Sequence, residues 1–133
     1  MGIIATAVHR DLESPELESL LRGSTYGFGV DFTNSWADRV WSLDGSVGFN
    51  TVRGTPEAIT RTQRSSARYY QRPDATSFRL DSTRTSLSGH AWQLALRKNS
   101  GKHWQGGLVY QETSPGMETN DLGFQSEASQ RGI

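Results

Sequence analysis

Arg61, Arg64, Arg68 and Arg72 recur at spacings of three, four and four. On a helix they share one face, and Glu57 stands four residues before Arg61, the order that favours an i, i+4 ion pair. Guanidinium groups are planar and permanently charged, so such a row suits an anion, an acidic glycan or the mouth of a pore. The same row fits a solvated loop whose arginines bind wall carboxylates such as Asp31 and Asp44. A second cluster, Ser114–Phe124, carries the oxygen donors Glu118, Asn120 and Asp121. Calcium takes about 6–8 oxygens, so a structured turn entering the next strand is the simpler reading.

Catalytic signatures are missing. His9, His90 and His103 match no metal-ligand spacing, and no GxSxG elbow, P-loop or dinucleotide fingerprint occurs. Asp31 and Asp44 fall on neighbouring strands without facing each other, which gives a glycosidase-type carboxylate pair no support. Cysteine is absent, which excludes disulfides, thiolate zinc sites and a Cys nucleophile. No catalytic residue, metal ligand or cofactor is assigned.

These residues must be held by strands. Gly2–His9 is β-like. Thr25–Thr33 alternates strictly, with Tyr26, Phe28, Val30 and Phe32 on one parity. Arg39–Val52 places Trp41, Leu43, Val47 and Phe49 on one face and Asp44, Ser46 and Asn50 on the other. Thr85–Lys98 sets Trp92, Leu94 and Leu96 against Gln93 and Arg97. Lys102–Thr113 sets Trp104, Leu108 and Tyr110 against Gln105 and Gln111. Asp121–Ser129 is a last candidate strand. Turns are expected at 34–38 and 99–101, and longer connections at 11–23, 51–83 and 114–120. Within 51–83, Thr55-Pro56-Glu57 is a helix start, predicting a short helix from Pro56 to about Tyr69. A short helical turn fits Pro15–Leu21.

The four clearest strands run about 9–14 residues, against about 5–6 for an ordinary strand and about 9–11 for one that crosses a bilayer. Their polar parity holds Gly, Ser, Asn, Gln and Asp with few Lys, which suits a crowded aqueous lumen; their apolar parity is aromatic, which suits lipid. Short and long connections alternate, as periplasmic turns and extracellular loops do in outer-membrane barrels. The expected lumen residues are Asp31, Asp44, Gln93 and Gln105. The expected aromatic girdles are Trp36, Trp41 and Trp104 near the short turns, and Tyr26, Phe49 and Tyr110 near the long loops. His90 falls on the apolar parity, an exception to this pattern.

Composition bounds these readings. Of 133 residues, 34% are hydrophobic, and the mean hydropathy is −0.62. Alone these values describe a polar chain with a thin core; an alternating wall with long polar loops has the same average. Lys and Arg number 14, as do Asp and Glu, so the chain has no net attraction for nucleic acid. No apolar run reaches the roughly 18 residues of a transmembrane helix. The N-terminal Met1–Asp11 has neither the apolar length nor the basic start of a signal peptide. Six strands are too few for a membrane barrel, which starts at about eight. Residues 1–133 are therefore expected to be an internal or C-terminal fragment of one β-barrel domain, with 51–83 as an insertion.

Several stretches carry a resemblance. Thr6–Arg10 is similar to a TAVNR-type strand, with His9 where Asn is usual. Gln63–Asp74 resembles the pattern QRSSARYxQRPD, and Thr85–Gly89 reads TSLSG. Ser114–Phe124 resembles SPGFExNDLGF, with Met117 where an aromatic is usual. In this order, over nearly the whole chain, they resemble the domain of unknown function 5916 family. The resemblance implies an outer-membrane β-barrel in a Gram-negative bacterium, often following an N-terminal family-9-like carbohydrate-binding domain. It carries over no catalytic residue. The expected partners are the lipid bilayer, the rest of the same barrel and, through that missing domain, glycan. Two readings stand beside this one: a soluble all-β ligand- or glycan-binding module, and a hydrolase with its site in 51–83.

Overall fold

The computed structural model describes residues 1–73, 78–121 and 130–133. Strands β1 (Gly2–His9), β2 (Ser24–Trp36), β3 (Trp41–Arg53), β4 (Ser86–Lys98), β5 (Gly106–Thr113) and β6 (Gln130–Gly132) form one six-stranded sheet. Its spatial order follows the chain, and every neighbouring pair is antiparallel. The fold is therefore an all-β meander. The sheet is open, with β1 and β6 at its edges. Most of the expected last strand, Asp121–Ser129, lies outside the described residues.

Alternation sets the two faces. Val30 stands opposite Val47 and Phe28 opposite Phe49, while Val47 stands opposite Trp92 and Leu96 opposite Leu108. One face is thus apolar from β1 to β5. Phe28, Phe49, Leu94 and Leu108 are all exposed on it. The other face carries Thr25, Asp31, Asp44, Ser46, Asn50, Gln93 and Gln111.

In a meander, successive connections fall at alternate ends. The short connections 37–40 and 99–105 share one end, and the long ones, 10–23, 54–85 and 114–129, share the other. β2 runs further than its alternation predicts, through Trp36, and a tight turn follows. Ala37, Asp38 and Arg39 all take positive φ, and the Val40 amide donates to the Ala37 carbonyl at 3.0 Å.

Two helices lie in the long connections. α1 (Pro15–Leu20) starts at Ser14, whose hydroxyl accepts from the Leu17 amide. α2 (Pro56–Arg64) starts at Thr55, which caps the Ala58 amide and donates to the Glu18 carbonyl at 3.0 Å, joining the two helices. α2 buries Ala58, Ile59, Thr62 and Gln63, one helical face. Its partners are Val52 and Leu87, cross-strand neighbours on the polar parity. With Tyr70, Phe78 and Leu80 they make the small core. At the long-loop end the polar face is therefore roofed by the 54–85 connection.

Candidate functional site

The three long connections meet over Thr25 and Asn50. Arg10 and Arg22 bracket the first of them. Arg22 holds Asp121 with two hydrogen bonds, Nε to Oδ2 at 2.6 Å and Nη2 to Oδ1 at 2.8 Å. Arg10 adds a third at 2.8 Å, and the Thr25 hydroxyl a fourth at 2.8 Å. A bidentate guanidinium fork on a carboxylate is among the stronger protein hydrogen-bond arrangements. Arg68, from the second connection, reaches Glu118 in the third at 2.7 Å, with side chains 0% and 2% exposed. Arg22 lies 3.5 Å from the same carboxylate and bridges the two pairs.

Backbone contacts seat the third connection on the wall. Asn50 donates from its amide to the Glu118 carbonyl and accepts the Glu118 amide hydrogen at 3.3 Å. Arg68 also donates to the Met117 carbonyl. Gly89 and Gly116 make this approach possible. A Cβ on Gly89 would run into the backbone of Gly116 and Met117, and one on Gly116 into the Ser88 carbonyl.

Electrostatics follow from this geometry. Burial alone would raise the Asp121 pKa, but the hydrogen bonds from Arg22, Arg10 and Thr25 outweigh it and hold the carboxyl well below the usual range. Burial pushes Arg68 down, against the attraction of Glu118. Arg22 is also desolvated, yet Asp121 and Glu118 raise it overall. Burial lifts the neighbouring Tyr70 phenol. Among the described residues, Arg68 Nε is buried without a hydrogen-bond partner.

The expected arginine row does not form. α2 stops at Arg64, and the cap residue Ser65 is extended (φ −59°, ψ 155°), so Arg68 and Arg72 leave the helix. Arg61 and Arg64 are exposed, on the side of α2 away from its buried face. No ion pair joins Glu57 to Arg61 among the described residues. Arg68 is buried. Arg72 lies 5.3 Å from the Phe78 ring centroid. The alternative pairing of these arginines with Asp31 and Asp44 is also not seen among the described residues. Asp44 is held by Arg97 at 2.5 Å and by the Thr33 hydroxyl at 2.9 Å.

Among the expected lumen residues, Asp31, Asp44 and Gln93 occupy the polar face. Asp31, Ser46, Gln93 and Gln111 line a groove of about 430 Å³ along that face. Gln105 does not share it in register: β5 begins at Gly106, so Gln105 lies in the preceding turn with no ladder partner. Among the expected girdle residues, Trp41 stacks on Trp36 (6.4 Å between centroids) and meets Trp104 edge-on at 6.1 Å. Lys98 Nζ sits 3.8 Å from the Trp104 ring, a cation–π contact. Trp104 joins this cluster from the turn, not from a strand. Tyr26 and Phe49 stand near the long-loop end, one opposite Thr51 and the other between Phe28 and His90. Tyr110 departs from that row. With β5 starting opposite Lys98, Tyr110 stands opposite Leu94 in mid-sheet and packs on Trp92 at 4.8 Å.

Arg10 and Arg22 are the members of this centre that spacing does not mark, while Glu118 and Asp121, expected only as oxygen donors of a turn, are their ion-pair partners. Their partners are 99 and 111 residues apart in sequence, so no local pattern links them. Val52 and Leu87 were the available signal: two apolar side chains on a polar parity, at the strand ends that flank the long connection. No protein-family model, curated protein or solved structure compared with the chain matches it.

Proposed function

We propose that this chain is part of the wall of a bacterial outer-membrane β-barrel. The long connections lie at its outer mouth, and the 54–85 connection is folded inward over the lumen side. The observation that carries this reading is the pairing of faces. A largely apolar face spans β1–β5, interrupted by His90 and Glu112, with Phe28, Phe49, Leu94 and Leu108 exposed on it, while the polar face takes the loops. Soluble chains rarely leave so large an apolar area uncovered.

Length supports it. β2, β3 and β4 have 13 residues each. The apolar rows from Tyr26 to Trp36 span about 33 Å along the strand, and at a tilt of about 40° they rise about 25 Å, the height of the apolar band on outer-membrane barrels. The Trp36–Trp41–Trp104 cluster with Lys98 suits the membrane–water boundary at the short-turn end. The resemblance to the domain of unknown function 5916 family points the same way and links the barrel to carbohydrate binding or uptake through a separate N-terminal domain. The open edges of β1 and β6 are then paired by further strands of the same barrel.

The test uses the full-length protein. It is expected to need detergent for extraction and to show heat-modifiable gel mobility. A monomer stable in plain buffer would overturn the barrel. Deleting residues 56–72 is expected to raise single-channel conductance; an unchanged conductance would remove the inward loop as a constriction.

A further inference from the structure

A pocket of about 370 Å³ opens where α1, α2 and the 114–121 segment meet. That is within the usual size range of small-molecule sites. Three guanidinium groups line it, from Arg10, Arg22 and Arg61, against one carboxylate, Asp121. Asp121 is already committed to Arg10, Arg22 and Thr25. The local charge is therefore positive, and Arg61, exposed and without an ion-pair partner among the described residues, is the group left to bind a ligand.

The remaining lining refines the ligand class. Ser65 accepts from Arg68 at 3.4 Å, which leaves its hydroxyl hydrogen for an acceptor. Thr62 is occupied on both sides, donating to the Ala58 carbonyl and accepting from Arg22, so it holds Arg22 in place. Leu20 and Leu21 form an apolar wall that is 48% and 41% exposed. A small anion alone would leave that wall bare to water.

We infer that this pocket binds a small organic oxyanion, a carboxylate or phosphate group on Arg61 and Ser65 with its apolar body against Leu20 and Leu21. The pocket is built entirely from the long connections and Asp121, so it is independent of what covers the apolar face of the sheet.

Calorimetric titration of the purified full-length protein tests it, with phenyl phosphate and benzoate as probes, benzylamine as the cationic control and inorganic phosphate as the control without an apolar body. Saturable binding is expected for the two aromatic anions, none for benzylamine, and weaker binding for inorganic phosphate. Arg61→Gln is expected to cost about tenfold in affinity, the scale of one charge-assisted hydrogen bond. Arg64→Gln, on the same exposed stretch of α2 but outside the pocket, is expected to bind as the parent does. Affinity should fall as salt rises. Three results would each overturn the inference: no saturable binding of either anion, equal binding of benzylamine, or equal loss in Arg61→Gln and Arg64→Gln. Inorganic phosphate binding as tightly as phenyl phosphate would overturn the assigned ligand class. Because Arg61 is exposed and has no ion-pair partner among the described residues, its substitution is expected to leave the fold intact.

Discussion

On the sheet, the side chains that meet solvent include Phe28, Phe49, Leu94 and Leu108; at its long-loop end, the side chains sealed from solvent include Arg68 and Glu118. The usual order of burial is inverted in both regions, for different reasons. The wall is held by its ladder, since every residue of β2 from Ser24 to Trp36 has a partner on β3, and its apolar side chains pack on their cross-strand neighbours, as Trp92 does on Tyr110. The loop layer has no ladder to hold it. It depends on the small core around Val52, Ile59 and Leu87 and on five charged groups that pair with one another. The wall therefore rests on backbone pairing and the loop layer on side-chain contacts, and a substitution that injures one should leave most of the other standing.

Glu118→Ala should separate them most sharply. It strands the Arg68 guanidinium in a site it cannot leave, and breaking a fully buried pair costs about 3–5 kcal/mol. Amide exchange of residues 56–72 and 114–121 in the full-length protein is expected to accelerate by at least a hundredfold, while the β2–β4 ladder keeps its protection. Pairing the change with Arg68→Met should recover much of the loss, because the charge and its partner then go together. Equal acceleration in ladder and loops would show that wall and loop layer are a single cooperative unit.

From the other side, Leu94→Arg probes the wall. Leu94 stands mid-face between Gly45 and Tyr110. If lipid covers that face, an arginine there costs about 2–4 kcal/mol, read as a lower denaturant midpoint in lipid vesicles, with the loop layer's exchange unchanged. A face in water would register no more than about 0.5 kcal/mol.

Gly89→Ala acts where the two regions touch. The new methyl collides with the backbone of Gly116 and Met117, which cannot swing aside as a side chain would. The expected cost is about 1–3 kcal/mol, seen as faster exchange of the 114–121 amides. Gly106→Ala, where a Cβ would meet nothing within 4 Å, should change nothing beyond a few tenths of a kcal/mol. If Gly89→Ala behaves like Gly106→Ala, the 114–121 segment does not rest on the wall.

These regions also differ in how far they could be read from sequence. The wall declares itself, because alternation is local: Tyr26, Phe28, Val30 and Phe32 set the parity of β2 within one window, although the turn expected at 34–38 lies at 37–40 and it is there that the β2–β3 register is set. The start of α2 was equally local, a Thr55 cap followed by Pro56. Its end was not. The arginine spacing continues past Arg64 as if helical, but Gln63 is drawn into the core, its side chain bridging both backbone groups of Asp81 at 2.8 and 2.9 Å, and the chain turns away at Ser65. The ion network was illegible for the same reason on a larger scale. Arg22 and Asp121 come together only when the whole meander is formed, and nothing around either residue marks the other. Gln105 and Tyr110 were misplaced because alternation gives parity but does not give the point where pairing begins.

Acid provides the gentlest comparison of the two regions. In the folded protein the Asp121 carboxyl is held below its usual range by Arg22, Arg10 and Thr25 against the opposing effect of burial; in the unfolded chain it returns to about 3.9. The unfolded state therefore takes up the proton first on acidification. The stabilisation from this group is essentially complete above about pH 5 and is lost progressively as the pH falls past the unfolded value and through the lower, folded one. Between pH 8 and 5 the opening free energy of the 114–121 segment, from amide exchange corrected for intrinsic rates, should carry no contribution from Asp121. Below about pH 4 it should decline more steeply than in Asp121→Asn, the difference between the two reporting this group alone. The strand ladder touches that carboxylate through the Thr25 hydroxyl at the end of β2, and its amides beyond that end should not track the difference. If the difference already appears between pH 6 and 5, Asp121 is not clamped by its arginines, and the account of a loop layer closed from within fails at its central residue.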